Sequence, residues 1–366
     1  MENSFVHPYM PNSAPENKKA MLDELGINSV EDIYKSIIPD ELLYKERLDI
    51  PEPIRSEYEL KRHVMGILNR DITTEEYTSF LGAGCYKHQV PAICDEINSR
   101  GEFLTAYCGD TYSDHGKMQA IFEYTSMMGE LLDTDVVSYT TYDGGQAVAS
   151  SLRMAVRAVR EKGMAGKVIL VPKTMNPEIY SQVVQYCRNV AEVRKIAYEP
   201  ETGLMDLEEL KEQLAKKNVA AVFFENPTYL GNFETRGEEI AKLAHDAGAY
   251  CVVQTEVAAL GIMESPVNQG ADIVCGDIQP LGMHIQFGGG QAGFIACNQN
   301  MDLVEQFPTY MYGITETEKE DTYGWGRAMN YRSSHGSREN AKEYFGTETG
   351  LWAITAGVYL ASMGPQ

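Results

Sequence analysis

The sequence predicts an α/β fold, a mostly parallel sheet covered by helices on both faces, and three observations carry that expectation. Apolar runs and amphipathic segments alternate regularly from Lys167 to Cys297. The loops between them are short. The runs themselves are nearly continuous in Val, Ile, Ala and Phe, which marks strands buried on both faces rather than one.

The elements follow in order. "KVILVP" reads as a buried strand, and "NPEIYSQVVQYCRNV" as a helix with Pro177 in its first turn. "EVRKIAYE" is a strand and "DLEELKEQLAKK" an amphipathic helix. "VAAVFFENP" is a strand, "TRGEEIAKLAHDAG" a helix closed by Gly248, and "AYCVVQTE" the next strand. "ADIVCGD" and "QAGFIAC" complete the series, with Gly288 to Gly290 between them read as a tight hairpin. Strands alternating with helices at this spacing make a parallel sheet the expected topology.

The ends of the chain read differently. Ser13 with Glu16, and Ser29 with Asp32, have capping-box spacing; Gly26 closes the first helix and Pro39 stops the second. "EYELKRHVMGILNR" has helical spacing at Leu60, Val64 and Leu68, and Thr73 with Glu76 reads as a further helix start. Residues 1–79 are therefore expected to form a helical N-terminal extension, and 80–308 the large α/β domain. Within the latter, "GKMQAIFEYTSMMGELLD" is helical. Residues 309–366, rich in Tyr, Gly and charge up to a final helix "GLWAITAGVYLASMG", are read as the start of a C-terminal region.

Composition removes several function classes. A formal charge of −22 lacks the basic footprint that phosphate backbones require, so nucleic acid is not an expected partner. No apolar run approaches the roughly 20 residues that span a bilayer, and the N-terminus has no basic start before an apolar segment. A cytoplasmic protein without a membrane association is expected. The seven cysteines are odd in number and never spaced as CxxC, which disfavours both a disulfide framework and a structural zinc site.

An enzyme of this architecture that uses pyridoxal phosphate needs three anchors. The first is a glycine-rich turn opening a helix, to hold the phosphate. The second is an acid at a strand end, to pair with the pyridinium nitrogen; the third is a lysine, to form the Schiff base. Gly144 and Gly145 in "TYDGGQAVASSLRMAVRAV" fit the first as anion-site candidates, although a turn and a helix start that bind nothing fit it as well. For the second, Gln254, Thr255 and Glu256 end their strand where Asp is expected, and Glu256 is the candidate in an uncertain register. The third is missing, because residues 257–300 contain no lysine. No neighbour substitutes for a primary amine. Elsewhere, "FLGAGCYKHQVP" lacks the second half of a dinucleotide fingerprint. Cys85 beside Tyr86, Lys87 and His88 reads as an inert thiol, and His115 and His284 have no metal-ligand companions.

Six blocks point to a specific family. "YMPNSAPENKKAMLDELGINSVEDIYKSIIPDELL", "FLGAGCYKHQVPAICDEINSRGEFLTAY" and "QAIFEYTSMMGELLDTDVVSYTTYDGGQA" are followed by "ENPTYLGNFE", "GADIVCGDIQPLGMHIQFGGGQAGFIA" and "SRENAKEYFGT". In this order they resemble the first (α) subunit of glycine decarboxylase, the P-protein of the glycine cleavage system, over essentially the whole chain. The resemblance implies a fold type I, aminotransferase-like large domain. It implies that pyridoxal phosphate and its lysine sit on a second (β) P-protein subunit, with no cofactor on this chain. It also implies that this chain, inactive alone, completes the partner's active site. The assembly, an oxidoreductase of glycine catabolism (aminomethyl-transferring glycine dehydrogenase) and a heterotetramer, decarboxylates glycine and passes the aminomethyl group to the lipoyl H-protein.

Carried over residue by residue, the resemblance implies active-site-completing roles for Tyr107, Tyr112 and His115. They lie in "YCGDTYSDHGKMQ", which keeps Tyr107, Gly116 and Gln119 of a tyrosine-rich family segment, is one residue shorter, and has Tyr112 at a shifted position. "RENAKEYFGT" keeps Arg338, Glu339, Ala341 and Thr347 and little between. The family continues beyond Gln366 with a small C-terminal domain, so a chain short at that end is expected. Two other readings remain open. One is a divergent paralogue in another pyridoxal-dependent complex, acting on a different small amino acid or amine. The other is a non-catalytic scaffold or regulatory subunit.

Overall fold

The structure, a computed structural model, describes residues 6–46, 48–80, 82, 84–104, 115–346 and 348–365. The chain divides into two compact units, residues 1–77 and 78–366.

The first unit is helical. Helix α1 (Pro15–Leu25) starts on a proline and ends where Gly26 takes a left-handed φ of 67°, with its amide returning to Asp23 O. Helix α2 (Glu31–Lys35) is a short piece, and α3 (Glu57–Leu68) is capped by the Ser56 hydroxyl, which accepts from Glu59 N at 3.4 Å. The two capping-box expectations fare differently. Ser13 turns away from α1 and accepts from His7 N, whereas Asp32 reaches back to the Ser29 amide at 3.1 Å. The helix expected after Thr73 is instead a single turn, in which the amides of Glu76 and Tyr77 both return to Thr73 O. One turn is all nucleus and no propagation, so it does not extend without packing. None of α1, α2 and α3 buries a residue.

The second unit is built on seven strands: β1 (Val136–Val137), β2 (Val168–Pro172), β3 (Glu192–Ile196), β4 (Val219–Asn226), β5 (Tyr250–Thr255), β6 (Ile273–Asp277) and β7 (Gly293–Cys297). Their order across the sheet is β1-β7-β6-β5-β4-β2-β3. The pairs from β3 through β6 are parallel; β7 and β1 are added antiparallel at one side. The mostly parallel sheet foreseen from the apolar runs is thus the observed one. β6 and β7 run antiparallel, but the connection between them is long, spanning residues 278–292. Gly288 to Gly290 lie near its far end, beside a turn at Gln286–Gly288, and so do not form a tight two-strand hairpin.

Alternation along the strands divides the interior into two cores. Ile169 and Val171 of β2 join Phe223, Val252 and Ile273 beneath helices α6 (Gly144–Glu161) and α7 (Pro177–Cys187). Val168 and Leu170 face the other way, with Val222, Val253 and Val274. They meet α5 (His115–Leu132), α8 (Leu207–Leu214), α9 (Gly237–Asp246) and, at the end of the chain, α12 (Gly350–Met363). The short helices α4 (Ala92–Asn98), α10 (Met301–Val304) and α11 (Ser334–Ser337) fill connections. The stretch read only as Tyr- and Gly-rich contains an antiparallel hairpin, β8 (Met311–Glu316) with β9 (Tyr323–Ala328), lying against α5.

Gly276 shows how closely the sheet is filled where the functional end begins. A Cβ built there would collide with the Thr255 carbonyl of β5 and sit 2.9 Å from the Phe294 ring of β7. Overfilling a closed core typically costs about 1–3 kcal/mol. Gly276→Ala should therefore lower unfolding stability in urea by about that amount, with an unchanged far-ultraviolet spectrum below the transition.

A candidate site at the start of helix α6

At the carboxyl ends of the parallel strands, the chain brings together residues far apart in sequence. Asp143 caps α6, its Oδ1 accepting from Gln146 N at 2.6 Å, and Gly144 and Gly145 form the first turn. The glycines are required by close approach. A Cβ on Gly144 would lie 3.1 Å from Asp277 Cβ, and one on Gly145 would overlap Gln182 Oε1. Around this turn lies a cavity of about 110 Å³, lined by Asp143, Asn176, Gln182, Gln254, Asp277 and Gln291 together with the glycines.

Asp277, the last residue of β6, faces the helix end. Its Oδ2 accepts from Gly144 N at 2.9 Å, while Oδ1 accepts from Gln279 N at 2.8 Å and Ala292 N at 3.3 Å. Burial pushes this carboxyl up to about 7, against the pull of the three amides and with a further push from the Asp143 carboxylate. The backbone groups meeting it are all donors, the arrangement an anion favours.

Two residues on, Gln279 is wholly buried and clamps a second segment. Its Oε1 accepts from Tyr86 N at 3.2 Å, and its Nε2 donates to Tyr86 O at 2.8 Å and Met283 O at 3.1 Å. Gln291 Nε2 donates to Gly84 O at 3.2 Å, and the Cys85 thiol donates to Ile285 O at 3.2 Å. The segment from Gly84 to Tyr86 is thereby laid along the β6–β7 connection. Burial raises the Cys85 thiol.

The residues singled out from sequence are placed as follows. Gly144 and Gly145 do open a helix, but the Gly144 amide is taken by the chain's own carboxylate. Gln254, not Glu256, borders the cavity; Glu256 lies beyond the strand and accepts from Ala258 N at 3.3 Å. His115 opens α5 and is exposed. Tyr107, Tyr112 and Thr347 lie outside the described residues. His284 pairs with Asp95 at 3.0 Å rather than with a metal-ligand set. Among the described residues no group of three or more His, Cys, Asp or Glu side chains is arranged to hold a metal ion. Also among them, no helix is long and apolar enough to cross a membrane. Asp277 and Gln182 were not anticipated. The available signal was a Gly-Asp pair ending a strand in a chain whose helix opens on Asp-Gly-Gly.

The segment "RENAKEYFGT" is tied into the scaffold by its departures from the family pattern. Glu343 accepts from Arg153 Nε at 2.5 Å, Arg157 Nη1 at 3.2 Å and Ser150 Oγ at 3.1 Å, all on α6. The rings of Tyr344 and Tyr310 meet edge to face at 5.2 Å, and Phe345 stands 6.3 Å from Tyr142, next to the cap of α6.

These residues do not fit pyridoxal phosphate. The Schiff-base lysine is replaced by Gln279, Pro280 and Leu281, a carboxamide stands at the strand end where an acid is needed, and Asp277 holds the amide that would meet a phosphate. The cavity is also well below the roughly 300 Å³ at which ligand pockets begin. Fold and site together define an aminotransferase-like, fold type I lobe.

Comparison with known proteins gives the family. The model of the glycine cleavage system P-protein family matches residues 7–366, and the chain belongs to that family. It is 36% identical over 360 residues to a probable glycine dehydrogenase (decarboxylating) subunit 1 of Pyrococcus horikoshii, covering 98% of this chain and 78% of that one. Among solved structures it resembles glycine decarboxylase (P-protein) of the glycine cleavage system in inhibitor-bound form. That match has a TM-score of 0.82 at 31% identity, over 99% of this chain and 77% of the other. A sphingosine-1-phosphate lyase of Burkholderia pseudomallei, with a TM-score of 0.54 at 13% identity over 90% of this chain and 73% of that one, shares the fold alone.

Glu225, at the end of β4 beside the site, carries a titration consequence. It is buried, accepts from Asn176 N at 3.1 Å, and is pushed up to about 7 by burial. Its folded value lies above its unfolded one, so the folded state holds the extra proton between about 4.5 and 7. Stability from this group is complete at low pH and is lost as pH rises through about 7. Glu225→Gln should flatten the fall in stability between pH 5 and 8, by up to roughly 3 kcal/mol, in urea titrations.

Proposed function

We propose that this chain is the subunit of a glycine-decarboxylase-type complex that carries no Schiff-base lysine and completes the active site of a pyridoxal-phosphate-bearing β subunit. Family membership supports the coarser statement, a role in the glycine cleavage complex and descent from an oxidoreductase. The finer reading rests on one observation above all. The glycine turn that opens α6 is present at Gly144 and Gly145, yet its Gly144 amide donates to Asp277, a side chain of the same chain.

On this reading the partner holds the cofactor and decarboxylates glycine, and the aminomethyl group goes to the lipoyl arm of the H-protein, in the cytoplasm. This chain contributes Tyr107, Tyr112 and His115 to the shared cleft. In this reading residues 1–79 are a helical N-terminal extension, 80–308 the large α/β domain and 309–366 the start of a C-terminal region. A complex acting on another small amino acid or amine is the second reading. It is favoured by the 338–346 segment, where Glu343 and Phe345 brace α6 and its cap beside the site.

Co-expression with the lysine-bearing subunit, followed by glycine–bicarbonate carbon exchange in the presence of H-protein, tests this. Exchange should require both chains. His115→Ala or Tyr107→Phe should lower it on the order of tenfold or more while the complex still forms. Exchange by the partner alone at the full rate would refute the reading, and a complex that forms but ignores glycine would transfer support to the second.

A further inference from the structure

The contact between Asp277 and α6 is unusual in its range. A helix is ordinarily capped by a neighbour in sequence, and Asp143 already does that here through Gln146 N. Asp277 arrives from 133 residues away and accepts from the amide of Gly144. A glycine turn opening an 18-residue helix is a ready-made site for an anion.

The same carboxylate also receives the amides of Gln279 and Ala292, which begin and end the β6–β7 connection. Gln279 and Gln291, each adjacent to or the source of one of those amides, hold Tyr86 and Gly84. One side chain therefore anchors the helix start, both ends of a connection and, through two carboxamides, the glycine-rich loop.

We propose that the Asp277 carboxyl group occupies the phosphate position of this fold. In this role it both closes the turn to phosphate-bearing ligands and positions the Gly84–Tyr86 loop from beneath. Loss of the lysine removes only the covalent link. The carboxyl group takes the Gly144 amide and the space beside it, so a phosphate would find that donor already used and would also face Asp143. The proposal rests on the reading that this chain carries no cofactor of its own, and extends it to what stands in the cofactor's place.

The test is rescue by inorganic phosphate. Asp277→Ala empties the carboxylate position while Gly144 and Gly145 remain. The full-length variant should bind phosphate at least about tenfold more tightly than wild type by calorimetry. At matched ionic strength its melting temperature should rise with phosphate more than wild type's does. Asp277→Asn, which fills the same space, should not gain phosphate binding. If Asp277→Ala fails to fold, Asp277→Ser takes the same measurement, its shorter side chain leaving the carboxylate position open. A folded Ala or Ser variant with wild-type indifference to phosphate, or equal phosphate binding in wild type, overturns the proposal. Borohydride reduction of wild type with pyridoxal phosphate is a separate arm. A trapped lysine there would defeat the cofactor-free reading, whereas the phosphate result judges Asp277 alone.

Discussion

The amide of Gly144 and the carboxylate of Asp277 meet at 2.9 Å, where the first turn of α6 faces the end of β6. Other features of the functional end follow from that approach. It requires glycine at position 144, because a Cβ would press on Asp277. It fixes the β6–β7 connection through two further amides, and that connection in turn carries Gln279 and Gln291 under the loop from Gly84 to Tyr86. Remove the carboxylate, and three segments lose their common acceptor.

The carboxylate is held at a cost. Burial raises Asp277 to about 7, and Glu225 nearby is also raised to about 7. Backbone donors offset part of this for each, three amides for Asp277 and those of Asn176 and Tyr229 for Glu225. What makes the arrangement tolerable is the scaffold beneath it, a sheet packed on both faces whose central strand β4 is buried along its whole length. A rigid support of this kind can hold acidic groups in place where water would otherwise relax them.

Much of this architecture was legible in the sequence, because its information is local. Short continuous runs of Val, Ile, Ala and Phe alternating with amphipathic helices specify buried parallel strands, and Pro177, Gly248 and Gly26 mark helix ends through backbone geometry. What is long-range was not legible. The Asp277–Gly144 bond joins residues 133 apart, and no spacing rule connects them. Whether Gln254 or Glu256 faces the cavity is decided by where β5 stops, because Thr255 is its last residue and Glu256 already caps the turn that follows. The β8–β9 hairpin was missed because Gly313, Gly324 and Gly326 interrupt its strands and weaken the alternation that would announce it. The helix expected after Thr73 has capping spacing in its sequence, but residues 75–80 are exposed and only one turn forms.

The central claim is that the Asp277 carboxyl group occupies the phosphate position of this lobe. A crystal structure of the wild-type protein grown in concentrated phosphate tests it most directly. The account predicts Asp277 Oδ2 within hydrogen-bond distance of Gly144 N and no phosphate at the first turn of α6. A phosphate seated on the Gly144 and Gly145 amides, with the Asp277 carboxylate turned away, would contradict it.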